Sequence, residues 1–374
     1  MILKLIRYLI LLLVLCNIPG FLLVYTNPSL SSAVSILTSL LLIFYFVWSK
    51  PKQKPVIAFL LFSTLYFTIS SFNYFGIEIE LIKEFIRFTI LILGITEIMH
   101  KTSYKELFYI LLVGAISIVS NALIFPYTNA LYGLVQGRYS GFFLNPNLAG
   151  ITCLLGMAIS YTISNPRMRL AGQAIFTLAG ILTLSRTFIV VWVLINFLAV
   201  LKDRKNLLVP LIGASALIVV ITFTDSKLFA ADRFEALTAF FGEGEVKTKT
   251  IKNDSRDQTW ALYYDYIFEK PFFGNGYKSF QIKTNKLPGT HNTYLMIIGE
   301  SGIIPFSIFI VTYLYMLRYC IIYFKKEPNL TYIIIVVLLN LMVSHTYFIN
   351  YQSIALSIFV YLKIRKTNQE SLTN

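Results

Sequence analysis

Charged side chains are scarce in this sequence. Asp, Glu, Lys and Arg make up 13% of the 374 residues while 56% are apolar, against roughly 25% charged and 45–50% apolar in soluble domains. That balance excludes a water-soluble chain with an ordinary polar surface. The apolar residues instead come in repeated runs close to the ~20 residues that cross a bilayer. Cysteine is scarcer still: Cys16, Cys153 and Cys320 all fall inside apolar segments, without a CxxC pair. A disulfide framework and a thiolate metal site are thereby excluded, and the three read as small buried hydrophobes. There is no Walker-type glycine loop, no HExxH, no DxD pair and no Gly-x-Ser-x-Gly elbow. ATP hydrolysis, zinc proteolysis and metal-dependent transfer from nucleotide sugars are accordingly disfavoured.

Acidic residues are also few, 18 against 32 Lys and Arg, for a net charge of +14. Such an excess invites a nucleic-acid reading until the placement of the cations is considered. Breaks in the apolar runs predict an all-α integral membrane protein of about twelve spans, at 5–25, 31–48, 55–72, 82–100, 106–125, 147–164, 168–184, 186–201, 207–224, 292–317, 331–347 and 350–363. The opening "MILKLIRYLILLLVLCNIPG" lacks a clean small-x-small cleavage site and reads as a retained first span. Eighteen of the 32 cations fall in short clusters, Lys4/Arg7, Lys50/Lys52/Lys54, Lys101/Lys105, Arg167/Arg169, Lys202/Arg204/Lys205, Arg318/Lys325/Lys326 and Lys363/Arg365/Lys366. These alternate with connections nearly free of Lys and Arg, so the positive-inside rule places every cluster, and both termini, in the cytoplasm. The charge is then a topology signal, and no nucleic-acid partner is expected.

The expected organisation is helices over 1–224, a large extracytoplasmic loop with short helices over 225–290, three more spans over 291–363, and a polar, disordered cytoplasmic tail over 364–374. In the loop, ten cations sit beside nine acids. Within it, "DSRDQTWALYYDYIFEKP" carries helix marks: Ser255 and Gln258 as a capping box, an apolar stripe of Trp260, Tyr263, Tyr264 and Ile267, and Pro271 beyond the end.

The outer connections collect a polar set: Arg138 in "GRYSGFFLNPNLAG", Arg186 in "LSRTF", Arg256 at the first turn of the loop helix, and His291–Asn292 where the loop enters the tenth span. Each has a plain explanation on its own, because an arginine at a membrane edge snorkels to headgroups and an interfacial histidine is commonly structural. Together they match one chemistry. A pyrophosphate ester takes forked guanidinium donors and the N–H groups of a helix start, and Arg256 would offer both. Asp254 and Asp257 flank Arg256 and either leave it to an anion or neutralise it. Histidine, whose unperturbed pKa is about 6.5, suits removal of an alcohol proton, and His291 is the candidate base. Glu300, inside an apolar run, needs a partner or a cavity: it orients a polar group or substrate, or pairs with an arginine.

With these pieces in order, the chain resembles the O-antigen polymerase and ligase family, bacterial membrane glycosyltransferases acting on undecaprenyl-pyrophosphate-linked glycans. The resemblance runs roughly from 130 to 305, through "RYSGFFLNPNLAG", "LSRTF", "SRDQTWALYYDYIFEKPFFGNGYKSF" and "HNTYLMIIGESGIIP". It implies a helical glycosyltransferase of the membrane (GT-C-like) type, working without metal or cofactor in the bacterial inner membrane. Its active site would be extracytoplasmic, open sideways to polyprenyl tails and capped by the large loop. By resemblance, Arg186 and Arg256 hold the pyrophosphate, and His291 is the base or positions the acceptor. Arg138, Asn145 and Asn147 shape the substrate groove beside Asn292 and Glu300. Pro305 stands where the family's last motif has a small residue, which opens the question of the bend after Gly302. The implied partners are the lipid-linked donor, membrane lipids, and an acceptor that is either another glycan, for a polymerase, or lipid A core, for a ligase. Polymerase is the first expectation, ligase the second, and a non-enzymatic transporter of lipid-linked sugars the alternative from another class. The aromatics Trp260, Tyr263, Tyr264, Phe272, Phe273 and Tyr277 either pack on sugars and tails or anchor the loop at the interface.

If Arg256 grips a diphosphate through its fork, Arg256→Lys keeps the charge and still slows transfer about tenfold or more, about 1.4 kcal/mol in barrier. Near-normal turnover of that variant in a transfer assay rules out bidentate binding.

Overall fold

The computed structural model describes residues 2–74, 76–124, 137–223, 256–283 and 287–373, and is all-helical over them. Among the described residues fifteen α-helices follow one another: α1 Ile2–Leu15, α2 Ile18–Tyr25, α3 Pro28–Trp48, α4 Ile57–Ser71, α5 Glu78–His100, α6 Tyr104–Ile124, α7 Pro146–Ser160, α8 Pro166–Leu182, α9 Arg186–Lys202, α10 Leu208–Phe223, α11 Arg256–Glu269, α12 Thr293–Ser301, α13 Ile303–Ile322, α14 Pro328–Val343 and α15 Tyr351–Thr373. Large apolar side chains such as Ile36, Leu40, Val190, Val193, Phe197, Val311 and Leu314 remain exposed on the outer faces. Helices with no polar face suit a lipid surround, where all backbone groups must be satisfied within the segment.

The expected twelve spans are only partly met. Among the described residues three helices, α3, α6 and α13, are by length and composition long and apolar enough to cross a membrane, or four if α1 and α2 count as one span bent by 61°. The physical reasons are breaks and shortness. Asn17 takes a left-handed conformation, φ 53°, and splits the first run. Helices α4, α7, α8, α9, α10 and α14 have 15–17 residues, short of the ~20 that 30 Å of hydrocarbon needs at about 1.5 Å per residue. The tenth run, expected to be continuous over 292–317, breaks at Gly302 into α12 and α13. The tail also departs from expectation, since α15 runs on through Thr373. It is held there by Tyr323 donating to Asn368 and by Lys326 and Lys366 on Glu370, at 3.9 and 3.8 Å.

One end of the bundle gathers the basic clusters. Arg7 donates to the Lys101 carbonyl and pairs with Glu106. Lys101 Nζ donates to the Lys50 carbonyl at 2.7 Å, Arg365 to that of Lys54 at 2.9 Å, and Lys202 to that of Lys325 at 2.6 Å. Tyr104, beneath the Lys363 ammonium, donates to Glu327 at 2.9 Å. Six of the seven clusters grouped on one side by charge are therefore joined in space around these contacts.

The break at Gly302 is built in from both sides. Its φ of 76° suits a residue without Cβ, and an added Cβ would lie 2.1 Å from the Phe272 carbonyl oxygen. The Ile303 N–H donates to the Pro271 carbonyl at 2.8 Å. Pro305 falls in the first turn of α13, where its missing N–H has no intrahelical acceptor to lose, so the bend survives this departure from the family pattern. Gly302→Ala is expected to lower stability by about 1–3 kcal/mol, read as a lower melting temperature of the detergent-purified protein; an unchanged melting temperature contradicts this account of the break.

Candidate functional site

Three helix starts share one local device. Asn145, Ser185 and Asn292 each take an extended conformation and accept, through the side chain, from backbone N–H groups of the first turns of α7, α9 and α12. The residue just before each cap is left-handed although it is not glycine: Leu144 at φ 61°, Leu184 at 47° and His291 at 47°. That conformation turns the incoming chain back across the helix mouth. It costs on the order of 1–3 kcal/mol per residue, which a cap worth about 1 kcal/mol offsets only in part; packing supplies the rest, as for Leu184, which is buried. The three starts are the motifs singled out in the sequence.

The first two are tied to each other. The Arg138 segment is strapped to α6 by Asn121 Oδ1, which accepts from the Ser140 and Gly141 N–H groups at 3.2 Å, and to α8 by Tyr139 N–H donating to the Leu182 carbonyl. This directs buried Arg138 to the turn between α8 and α9: Nε donates to the Thr183 carbonyl at 3.0 Å and Nη2 to Asn147 Oδ1 at 3.3 Å. Asn147 Oδ1 also accepts from Ser185 Oγ at 3.1 Å. Arg186, the first residue of α9 and exposed, follows at once.

The third start gathers a different group. Trp260 Nε1, on α11, donates to the Thr290 carbonyl at 3.2 Å, and Tyr263 donates to that of Pro288. Half-buried Arg256 opens α11 four residues before Trp260, so it lies on the same face about 6 Å along the axis. The predicted α11 is present; its capping Ser255, the flanking Asp254 and the side chain of Asp257 lie outside the described residues, as does 225–255. Next to Thr290, His291 is exposed and its backbone N–H donates to Nδ1 of His345 at 3.2 Å, with the two rings 4.7 Å apart. His345 precedes α15 on a turn held by Ser344 and Thr346, and Thr293 Oγ1 donates to the Ser344 carbonyl at 2.6 Å. Burial and the neighbouring His291 push the His345 pKa down to about 4, so its ring is neutral at neutral pH.

Both groups stand at the same end of the bundle. Tyr161, closing α7, packs on Tyr332 near the start of α14; α7 and α14 thus run antiparallel, and the start of α7 lies toward the end of α14, beside Thr293. Thr152 in α7 also accepts from Gln352 Nε2 at 3.0 Å, at the start of α15 just beyond the His345 turn. Asn147 is five residues before Thr152, about 7.5 Å along the axis. The basic clusters occupy the opposite end.

Glu300 stands apart. It is fully buried near the end of α12, about 12 Å along the axis from Asn292. It accepts from Tyr66, from Gln281 Nε2 at 2.8 Å and from the Phe280 N–H at 2.9 Å. Of the roles open to it, this is the orienting one: it clamps the 271–283 segment between α4 and α12. His345 had no place among the sequence candidates. It lies 54 residues from its partner, in an apolar stretch without a motif, and only tertiary structure brings the two together. Among the described residues no three His, Cys, Asp or Glu side chains come close enough to share a metal ion.

Residues 171–310 match the family model described as O-Antigen ligase, a stretch that holds Arg186, Arg256, His291 and Gly302. No curated protein and no solved structure matches the chain significantly.

Asn147 is the shared acceptor between two site motifs. Asn147→Ala leaves the buried Arg138 one partner short and is expected to destabilise by about 1–3 kcal/mol, measured by thermal unfolding. Asn147→Asp keeps the acceptor and should hold stability; equal loss in both contradicts the acceptor role.

Proposed function

The chain carries a domain of the O-antigen polymerase/ligase family, membrane enzymes of glycosyltransferase type, and on that premise we propose that it transfers a glycan from an undecaprenyl-pyrophosphate carrier to an acceptor hydroxyl. The observation that carries the proposal is the gathering, at the end of the bundle opposite the basic clusters, of the helix starts bearing Arg186, Arg256 and His291. Helix N-termini are partially positive, and the two guanidiniums add charge of the same sign, a field suited to a leaving diphosphate.

In this reaction the acceptor oxygen attacks the anomeric carbon. The new C–O bond forms as the bond from that carbon to the pyrophosphate oxygen breaks, and the bond electrons leave on the pyrophosphate. His291 takes the hydroxyl proton. Arg186 and Arg256 stabilise the negative charge growing on the leaving group, a task that needs no metal when guanidiniums do it. Arg138 and Asn147 shape the groove wall beside Arg186, while Asn145 and Asn292 hold the helix mouths open toward it. Orientation by the positive-inside rule puts this end outside the bacterial inner membrane, with both termini in the cytoplasm.

We favour a polymerase, in which the acceptor is another lipid-linked glycan. The second reading, a ligase acting on lipid A core, is favoured by the description of the matching family. Reconstituted protein given lipid-linked repeat units alone should build a ladder if it is a polymerase; transfer only when lipid A core is added identifies a ligase. His291→Ala should slow transfer by about 10²–10⁴-fold. A variant that transfers at full rate removes His291 from the chemistry, and movement of lipid-linked sugar across the vesicle without transfer identifies a transporter.

A further inference from the structure

His345 is absent from the mechanism above, yet it is the residue against which His291 is set. The backbone N–H of His291, in the turn before α12, donates to Nδ1 of His345 at 3.2 Å. The rings meet edge to face at 72°. On its other side His345 is packed against backbone, since a Cβ on Gly289 would lie 3.1 Å from Cε1 and 3.2 Å from Nε2. The turn that carries it is fixed at both neighbours: Ser344 and Thr346 share a hydroxyl contact at 2.9 Å, the Thr346 N–H donates to Ser344 Oγ, and the Ser344 carbonyl is bound by Thr293. Phe348 then buries its ring against Tyr66 and Phe67, and Tyr347 against Phe62 and Phe88. A left-handed backbone at a non-glycine residue persists only where its surroundings hold it.

We propose that His345 is a positioning residue for His291, accepting its backbone N–H so that the left-handed turn, and with it the place of the His291 imidazole against the acceptor hydroxyl, is fixed. The proposal rests on His291 being the base. As an acceptor at Nδ1, His345 is neutral with its proton on Nε2. A neutral ring also lays no second cation beside His291, which is left able to take a proton.

Transfer kinetics of three variants test this. His345→Leu fills the space without an acceptor and should lower kcat about 100-fold while KM for the lipid-linked donor stays within about twofold, because a misplaced base loses rate and not donor binding. His345→Asn puts Oδ1 where Nδ1 stood and should return kcat to within about fivefold of the unaltered protein. His345→Gln carries its carbonyl one bond farther, toward the Nε2 position, and should remain slow; the contrast between Asn and Gln decides the matter if the leucine variant does not fold. Full activity of His345→Leu, equal rates for Asn and Gln, or a change confined to KM overturns the proposal. His291→Ala is measured beside them. Full activity there overturns the base assignment, whereas loss there with full activity in His345→Leu overturns the positioning role alone.

Discussion

A helix that begins in apolar surroundings presents N–H groups with nothing to accept them, and every such group must find an oxygen or nitrogen inside the protein. Much of the polar chemistry in this chain answers that constraint. Asn145, Ser185 and Asn292 are spent on it directly, and His345 accepts the His291 N–H in the turn before α12. Because the caps are side chains on tightly turned segments, their neighbours are placed with them: Arg186 after Ser185, His291 before Asn292, Arg138 through Asn147.

The two ends of the bundle treat cations differently. At the end holding the clusters, Arg7, Lys101 and Lys202 donate to backbone carbonyls one to three residues beyond helix ends, where the partial charge is negative and quiets them, and Arg365 donates to that of Lys54 in the connection between α3 and α4. At the other end Arg186 and Arg256 stand at helix beginnings, where the backbone adds to their charge, while Arg138 donates to the Thr183 carbonyl at the end of α8.

The helical runs were legible because apolar residues persist for the length of each helix, and α11 was legible from its stripe and Pro271. The caps went unread: Asn145 was assigned to the groove, although an asparagine before a proline at the first helical position is a start signal in any sequence. The long-range part escaped as well. Glu300 gave no sign that it would hold Tyr66, over two hundred residues away, and His345 carries no motif. Breaks were hidden too, since Asn17 and Gly302 interrupt runs whose hydropathy stays high across them. The tail was misjudged because polarity was taken for disorder, when its contacts with Tyr323 and Lys326 keep α15 in register.

The severed tenth run has a mechanical meaning. Since Gly302 parts α12 from α13 while Glu300 and the Pro271 carbonyl fasten its two sides to the segment after α11, the nine-residue α12 and the long α13 are pinned at their junction by one stretch of chain. The His291 backbone at the far tip of α12 is thereby anchored with only about two and a half helical turns between it and that joint.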